Sequence, residues 1–151
     1  MKSNNKTVQQ KEIIFLLDDE PQYLAWLVEY LEAKGYAVET ASNLGEAIRK
    51  LVPRKYRTVI ADLSVPIPTE MRKMVEAEGA AYLQFPGLYV AHHARNVGYR
   101  SRQVVVYSVH DSATVAEVAG KIGVCYITKG RPKLLKVELD AILCYDPTRE
   151  K

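Results

Sequence analysis

The sequence predicts an α/β fold in which one parallel sheet of five strands is covered by helices on both faces. Two observations lead to this prediction. Short apolar runs rich in Val, Ile and Leu recur along the chain, and segments with apolar residues at helical spacing separate them. Strands that alternate with helices form parallel sheets, and right-handed crossovers bring the carboxyl ends of all strands to one edge.

The predicted elements follow one another in a regular order. Strands are predicted over 13–17, 36–41, 58–62, 103–108 and 124–128. Helices are predicted from Pro21 to about Lys34, from a cap at Asn43 until Pro53, from Leu88 to about Val97, from Ser112 to Ile122, and from Pro132 onward. Helix starts are marked by Pro21 and Asn43, and Gly35 and Gly123 are natural helix stops.

Residues 67–86 do not fit this regular order. Apolar residues within the segment could mark an amphipathic helix capped by Thr69, although Gly79 weakens that interpretation. Pro86-Gly87 is predicted to be a turn before the next helix.

Composition is that of an ordinary soluble globular protein, and 151 residues favour one domain, predicted over 12–145. Residues 1–11 are predicted to be a flexible leader and 146–151 a short tail.

The net charge is +3 without a dense basic run, which does not favour nucleic-acid binding, and no apolar run is long enough for a membrane span. Cys125 and Cys144 lie in apolar runs and are interpreted as small core residues in a reducing cytoplasm.

Polar residues stand where four of the predicted strands end. Asp18 and Asp19 follow the first strand, Asp62 ends the third, Ser108 ends the fourth and Lys129 follows the fifth. Carboxylates that converge repel one another unless a positive charge lies among them, and Mg²⁺ is a hard cation that suits oxygen ligands. Carboxylate, metal, ammonium and hydroxyl together can stabilise a transferring phosphoryl group. A structural ion cluster is the alternative, but crowding like charges has no structural benefit.

These residues make the chain resemble a response-regulator receiver domain of two-component signalling. The matching pieces are Asp18-Asp19, the segment Asp62-Leu-Ser-Val-Pro66, Ser108 and Lys129, each at a strand end. The resemblance covers nearly all of residues 12–144. It implies a flavodoxin-like, doubly wound sheet with strand order 2-1-3-4-5.

The resemblance also implies roles for individual residues. Asp62 would accept a phosphoryl group from a histidine kinase or a phosphotransfer protein. Asp19 would bind Mg²⁺ directly, and Asp18 would bind it through water. Asp62 and the backbone carbonyl of Ser64 would complete the protein ligands.

The remaining implied roles concern switching. Lys129 and Ser108 would contact the phosphoryl group, and Tyr126 would rotate inward when Ser108 moves; a plain core aromatic is the alternative for Tyr126. The surface of the helix after strand four, strand five and the last helix would then bind a downstream effector protein or form a homodimer. Such a cytoplasmic protein would be no enzyme beyond its own phosphorylation and dephosphorylation.

The chain departs from the family's pattern in three places. The Gly-Leu pair that opens the family's third helix corresponds to Gly87-Leu88, so residues 67–86 are an insertion beside the site, either a lid or partner surface or a tolerated surface loop. Lys129-Gly130 replaces the usual Lys-Pro with its cis bond. Val109 replaces a smaller residue, which would narrow access for a phosphoryl group.

Other functions remain open on the sequence alone. A pseudo-receiver would keep the site without phosphate control. A phosphatase of the haloacid-dehalogenase type would need a second Asp where this chain has Ser64. Flavin or nucleotide binding is disfavoured because Asp18-Asp19-Glu20 replaces a Gly-rich phosphate loop. His92, His93 and His110 are interpreted as solvated residues and not as a metal cluster.

Overall fold

The computed structural model describes residues 13–108, 112–128 and 132–145. Its strands are β1 (Ile13–Leu17), β2 (Ala37–Ala41), β3 (Thr58–Asp62), β4 (Val104–Ser108) and β5 (Cys125–Thr128). They pair in parallel in the order β2-β1-β3-β4-β5. The prediction of a flavodoxin-like, doubly wound parallel sheet is therefore confirmed. The predicted leader, 1–11, and the predicted tail, 146–151, lie outside the described residues.

Helices connect the strands at the predicted places. They are α1 (Pro21–Ala33), α2 (Leu44–Lys50), α3 (Arg72–Glu78), α4 (Ala80–Gln84), α5 (Pro86–Asn96), α6 (Ala113–Ile122) and α7 (Pro132–Leu143). The side chain of Asn43 accepts a hydrogen bond of 2.9 Å from the backbone N–H of Glu46, so it caps α2 as predicted. Gly123 ends α6 with a φ of 73°, a left-handed conformation that favours glycine.

The sheet separates two apolar cores. One core packs the strands against α1 and α7 and contains Leu16, Ile60 and Tyr107. The other packs them against α2, α5 and α6 and contains Leu17 and Ala61. Neighbouring residues of one strand thus belong to opposite cores, as the two-residue period of a strand requires. The three central strands, β1, β3 and β4, are buried on both faces, which explains their apolar sequences, whereas the edge strands β2 and β5 are mostly half-buried.

The inserted segment, residues 67–86, is helical and packed, but it is not one helix. A 3₁₀ turn over Thr69–Met71 leads into α3, and Gly79, with a φ of 142°, separates α3 from α4. The prediction of a cap at Thr69 is wrong, because no side chain caps the 3₁₀ turn or α3. Val75 is fully buried in the core that contains α5 and α6, and α4 contacts both of these helices. The segment is therefore part of the domain's packing.

Two further sequence predictions need correction. Pro86-Gly87 is the first turn of α5 and not a separate turn, because proline is well suited to the first position of a helix. Cys144 is exposed and not in the core, since it follows the last turn of α7, whereas Cys125 is half-buried. Within the part of the chain that the structure describes, none of the helices combines the length and apolar character that crossing a membrane requires.

Candidate functional site

Three of the predicted site residues lie buried at the carboxyl edge of the sheet. Asp18 follows β1, while Asp62 and Ser108 are the last residues of β3 and β4. Because β1, β3 and β4 are adjacent and parallel, their carboxyl ends lie side by side. The alternation of strands and helices that fixes the fold therefore also brings these polar side chains to one place.

Three carboxylates converge at this edge, and we refer to Asp18, Glu20 and Asp62 as the acidic group. One ligand oxygen from each residue lies within 4.8 Å of the others. Asp18 has no exposed surface and Asp62 is 5% exposed, whereas Glu20 is exposed. Like charges at this separation and burial raise the free energy of the site unless a cation or hydrogen-bond donors compensate for them.

Both carboxylate oxygens of Asp18 accept hydrogen bonds. The backbone N–H of Glu20 donates to Oδ1 over 2.9 Å, and the hydroxyl of Tyr107 donates to Oδ2. The backbone N–H of Asp18 donates to the carbonyl of Ala41 at the end of β2. Burial, followed by the charge of Asp18 and the hydrogen bond to it, raises the pKa of Tyr107 well above its usual value. Tyr107 therefore stays a neutral donor toward an acidic neighbour.

The loop after Asp62 is held by the amino ends of two helices. The backbone N–H of Gly87 in α5 donates to the carbonyl of Leu63 over 2.9 Å, and that of Leu44 in α2 donates to the carbonyl of Pro66 over 3.0 Å. A Cβ atom added to Gly87 would lie 2.2 Å from the carbonyl oxygen of Asp62. Only glycine permits this approach, so α5 packs directly behind the carboxylate-bearing end of β3.

Tyr126 joins β5 to the start of α6. Its side chain is half-buried, and its hydroxyl accepts a hydrogen bond of 3.1 Å from the backbone N–H of Ser112. The hydroxyl of Ser112 in turn accepts from the backbone N–H of Val115 and caps α6. Tyr126 is thus connected to the segment that leads from Ser108 into α6.

The structure places the other predicted site residues less centrally. Asp19 is exposed and lies outside the acidic group, so its assignment as the direct metal ligand stays a prediction. Ser64 is exposed in the loop that follows Asp62. Lys129 and the Lys129-Gly130 peptide lie outside the described residues, as do Val109 and His110.

The two described histidines, His92 and His93, lie in α5 and are not members of the acidic group. Both are half-buried, whereas the sequence analysis interpreted them as solvated. His92 lies 3.7 Å from Glu78 at the end of α3, and burial lowers the pKa of His93. The ring of His92 also lies 5.6 Å from that of Tyr82, so His92 packs between α5 and the inserted segment.

Sequence reasoning missed two residues that the structure brings to the site, Glu20 and Tyr107. Glu20 belongs to the acidic run Asp18-Asp19-Glu20. The sequence does not indicate which carboxylates of this run point toward the site. Tyr107 had a usable signal, because it is the only aromatic residue in an otherwise aliphatic buried strand. A buried tyrosine hydroxyl generally has a hydrogen-bond partner. Because Tyr107 lies near the carboxyl end of its strand, the polar site residues there were the candidates for that partner.

The acidic group fits a hard divalent cation. Its ligands are all oxygens, as Mg²⁺ and Ca²⁺ prefer. Two oxygens bound to one Mg²⁺ lie at most about 4.2 Å apart, and those bound to Ca²⁺ about 5 Å, twice the respective metal–oxygen distances. The ligand oxygens of the acidic group, which all lie within 4.8 Å of one another, are close to this range.

The chain is similar to solved structures of response-regulator receiver domains. A CheY-like receiver domain protein from Methanospirillum hungatei matches with a TM-score of 0.66 and 20% identity, covering 88% of this chain and 94% of that one. A LuxR-family two-component response regulator from Aurantimonas matches with a TM-score of 0.62 and 26% identity, covering 87% and 84%.

A third similar structure carries ligands. The response regulator from Burkholderia pseudomallei, which holds a phosphorylated aspartic acid, a calcium ion and citrate, matches with a TM-score of 0.61 and 21% identity, covering 86% of this chain and 71% of that one. No protein-family model matches the sequence, and no curated protein matches it significantly. The fold of the chain is that of receiver domains over most of its length.

Proposed function

We propose that this protein is a phosphoacceptor of two-component signalling, phosphorylated on Asp62 in the presence of Mg²⁺. The observation that carries the proposal is the convergence of Asp18, Glu20 and Asp62 at the carboxyl edge of a receiver-type sheet. Sequence reasoning from the strand ends and the structural similarity to receiver domains support the same function independently.

Asp62 is the residue suited to accept the phosphoryl group. An oxygen of its carboxylate would form a bond to phosphorus while the bond between phosphorus and a histidine nitrogen of the donor protein breaks. The electron pair of that bond returns to the histidine ring. The backbone around Asp62 is held by Gly87 and Leu44, which keeps the carboxylate in place during the attack.

A bound divalent cation would neutralise charge on the phosphoryl oxygens and on the acidic group. Asp18, Glu20 and Asp62 are the described side chains that fit it, and the Burkholderia pseudomallei protein, which holds a calcium ion and a phosphorylated aspartic acid, supports this assignment. Asp19 and the backbone carbonyl of Ser64 remain proposed ligands from the family resemblance. Mg²⁺ is proposed as the cation because it keeps open positions for water and phosphate oxygens.

The signal would leave the site through Ser108 and Tyr126. Ser108 is buried at the end of β4 beside Asp62, where its hydroxyl could turn toward a phosphoryl group, and Lys129 is the proposed ammonium partner. Movement there would act on the segment leading into α6, to which Tyr126 is hydrogen-bonded. The surface of α6, β5 and α7 is therefore the proposed contact for an effector protein, and a histidine kinase or phosphotransfer protein is the proposed donor.

The inserted segment remains a proposed partner surface. Because Val75 is fully buried, deleting the segment would expose the core, so a deletion cannot separate its function from its contribution to folding. Met74 is 48% exposed on α3 and offers a better test. Replacing it with Glu should leave phosphorylation by acetyl phosphate unchanged and slow phosphorylation by the protein donor.

The test of the proposed function is the intact mass of the protein after incubation with Mg²⁺ and acetyl phosphate. We expect one phosphoryl adduct, absent from Asp62→Asn and from a sample with the metal removed. Asp140→Asn is a matched control, because Asp140 is an exposed carboxylate on α7 whose bonds are to Tyr30 and Lys34. Wild-type protein that is folded and binds Mg²⁺ but forms no adduct would contradict the proposal and favour a pseudo-receiver.

A further inference from the structure

The residue of interest is Tyr107, which none of the expected roles includes. It lies in β4 directly opposite Asp62 of β3 and immediately before Ser108. Its ring is fully buried in the core under α1 and α7, beside aliphatic residues such as Leu16 and Ile60. A phenylalanine would fill nearly the same space without requiring a polar partner, so the hydroxyl is the feature that calls for an explanation.

The hydroxyl of Tyr107 is hydrogen-bonded to Asp18, the most buried residue of the acidic group. It donates to Oδ2 of Asp18, while the backbone N–H of Glu20 donates to Oδ1 of the same carboxylate. Two donors on opposite oxygens fix the rotation of the carboxylate about its Cβ–Cγ bond. Each carboxylate oxygen has more than one lone pair, so an oxygen that accepts from Tyr107 or Glu20 can still bind a cation.

We propose that Tyr107 is a positioning residue of the cation site, in that its hydroxyl orients the Asp18 carboxylate toward a bound divalent cation. The inference rests on the cation site in the proposed function, and it adds a residue of this chain to it. The ligand of a metal generally needs such a hydrogen bond from behind, and removing the partner weakens binding. The contact joins β4 to β1 across β3, so it also links the strand that carries Ser108 to the cation ligands.

The experiment compares Mg²⁺ binding by the full chain with binding by Tyr107→Phe, measured by isothermal titration calorimetry. We expect the Kd for Mg²⁺ to rise about tenfold in Tyr107→Phe. Phosphorylation by acetyl phosphate should slow at low Mg²⁺ and recover toward the wild-type rate at saturating Mg²⁺, because the hydroxyl does not touch the phosphoryl group.

Tyr56→Phe is the matched control. Tyr56 is likewise buried, and its hydroxyl donates to a carboxylate, Glu39, over 2.7 Å. Both variants lose a buried hydroxyl-to-carboxylate bond, so both should unfold more easily. Only Tyr107→Phe should change the Kd for Mg²⁺; an unchanged or lower Kd in Tyr107→Phe, or an equal rise in both variants, would overturn the inference.

A double-mutant cycle with Asp18→Asn tests whether the effect passes through Asp18. Tyr107→Phe should change the Kd much less in the Asp18→Asn protein, and an equal change in both backgrounds would contradict the positioning role. If Tyr107→Phe does not fold, wild-type protein labelled with 3-fluorotyrosine replaces it. At least one fluorine resonance should then shift on Mg²⁺ addition in wild type but not in Asp18→Asn, and the absence of any shift would overturn the inference.

The two hypotheses can fail separately. Wild-type protein that binds Mg²⁺ without forming an Asp62 adduct would contradict the proposed function while the comparison of Kd values still tests Tyr107. Phosphorylation of Asp62 together with an unchanged Kd in Tyr107→Phe would contradict the Tyr107 inference alone. A wild-type protein that binds no Mg²⁺ would contradict both.

Discussion

Two buried tyrosines in this molecule each donate a hydrogen bond to a carboxylate. The two carboxylates differ in the charged groups that surround them. Tyr56, shortly before β3, donates to Glu39 of β2, and the ammonium of Lys55 lies 3.1 Å from the same oxygen. Tyr107, near the end of β4, donates to Asp18, which lies among two further carboxylates. The first arrangement pairs opposite charges, whereas the second gathers like charges.

The environment of Glu39 explains why the first arrangement is structural. Burial alone would raise the pKa of Glu39, but the hydrogen bonds from Tyr56 and Lys55 outweigh burial and lower the pKa below its ordinary value. The hydroxyl of Tyr99 also accepts from the backbone N–H groups of Lys55 and Tyr56 and donates to the carbonyl of Val52. This network therefore stabilises the fold without any ligand, whereas the acidic group brings together oxygens that fit a divalent cation.

The largest effect is expected where the site is packed most tightly, at Gly87. In Gly87→Ala the new methyl group would lie 2.2 Å from the carbonyl oxygen of Asp62 and 2.7 Å from Cα of Leu63. Both atoms belong to the backbone and cannot move aside easily, so we expect the free energy of unfolding to fall by about 3 kcal/mol. Urea denaturation followed by circular dichroism measures the change.

Gly120→Ala is the control for this substitution. Gly120 lies in α6 with no atom within 4 Å of the position of an added Cβ. Alanine favours helices more than glycine does, so this variant should gain up to about 1 kcal/mol. Equal stability of the two variants would show that α5 does not pack against the Asp62 loop as described.

Crowding of like charges gives the next largest effect. In metal-free buffer we expect Asp62→Asn to raise the free energy of unfolding by about 2 kcal/mol, a screened part of the repulsion between charges less than 5 Å apart. Mg²⁺ should stabilise the wild type more than the variant and reduce the difference. Urea denaturation with and without Mg²⁺ tests this expectation, and a destabilised Asp62→Asn would mean that the carboxylates are already well compensated.

Removing the hydroxyl of Tyr56, which is hydrogen-bonded to Glu39, should change the free energy of unfolding less. We expect Tyr56→Phe to lower the free energy of unfolding by about 1 kcal/mol, because a buried hydrogen bond to Glu39 is lost while Lys55 still compensates the charge. Thermal unfolding by calorimetry measures this loss, and phosphorylation by acetyl phosphate should be unchanged. Slower phosphorylation of Tyr56→Phe would contradict the view that the network around Glu39 is separate from the acidic group.

The smallest effect concerns pH. Because the pKa of Glu39 is lowered in the folded state, its contribution is present above its unfolded pKa, about 4.5, and is lost as the pH falls through the lower folded value. Glu39→Gln should therefore be less stable than wild type at pH 7 by about 0.5 kcal/mol, since the carboxylate is partly exposed, and the difference should shrink toward pH 3. Denaturation at both pH values measures this.

Glu117→Gln is the control for the pH experiment. Glu117 pairs with Lys121 on the exposed surface of α6, and such pairs contribute little. A difference between Glu39→Gln and wild type that does not shrink at low pH would contradict the described network around Glu39.

Much of the fold could be predicted from the sequence because its signals are local. The apolar runs of β1, β3 and β4 are buried on both faces, and such runs require a parallel sheet covered by helices. Parallel strands in turn fix the edge at which Asp18, Asp62 and Ser108 meet. The order of secondary structure therefore determined both the fold and the outline of the site.

The remaining features depend on contacts between distant residues. Gly79 already weakens the prediction of a single helix in the inserted segment, but the sequence does not indicate that Val75 is fully buried, because this depends on packing against other helices. It does not indicate which carboxylate of Asp18-Asp19-Glu20 turns inward, since this depends on the path of the chain between β1 and α1. The donation from Tyr107 to Asp18 joins residues on strands that are not neighbours, which strand periodicity alone does not reveal.

The most direct test of the central claim is to locate the phosphoryl group in the full chain. Wild-type protein would be incubated with acetyl phosphate and Mg²⁺, reduced with borohydride to convert any acyl phosphate to an alcohol, digested, and sequenced by mass spectrometry. We predict that Asp62 alone is converted and that removing Mg²⁺ prevents the conversion. Conversion of another carboxylate, or conversion that persists without a divalent cation, would contradict the assignment of Asp62 and the acidic group.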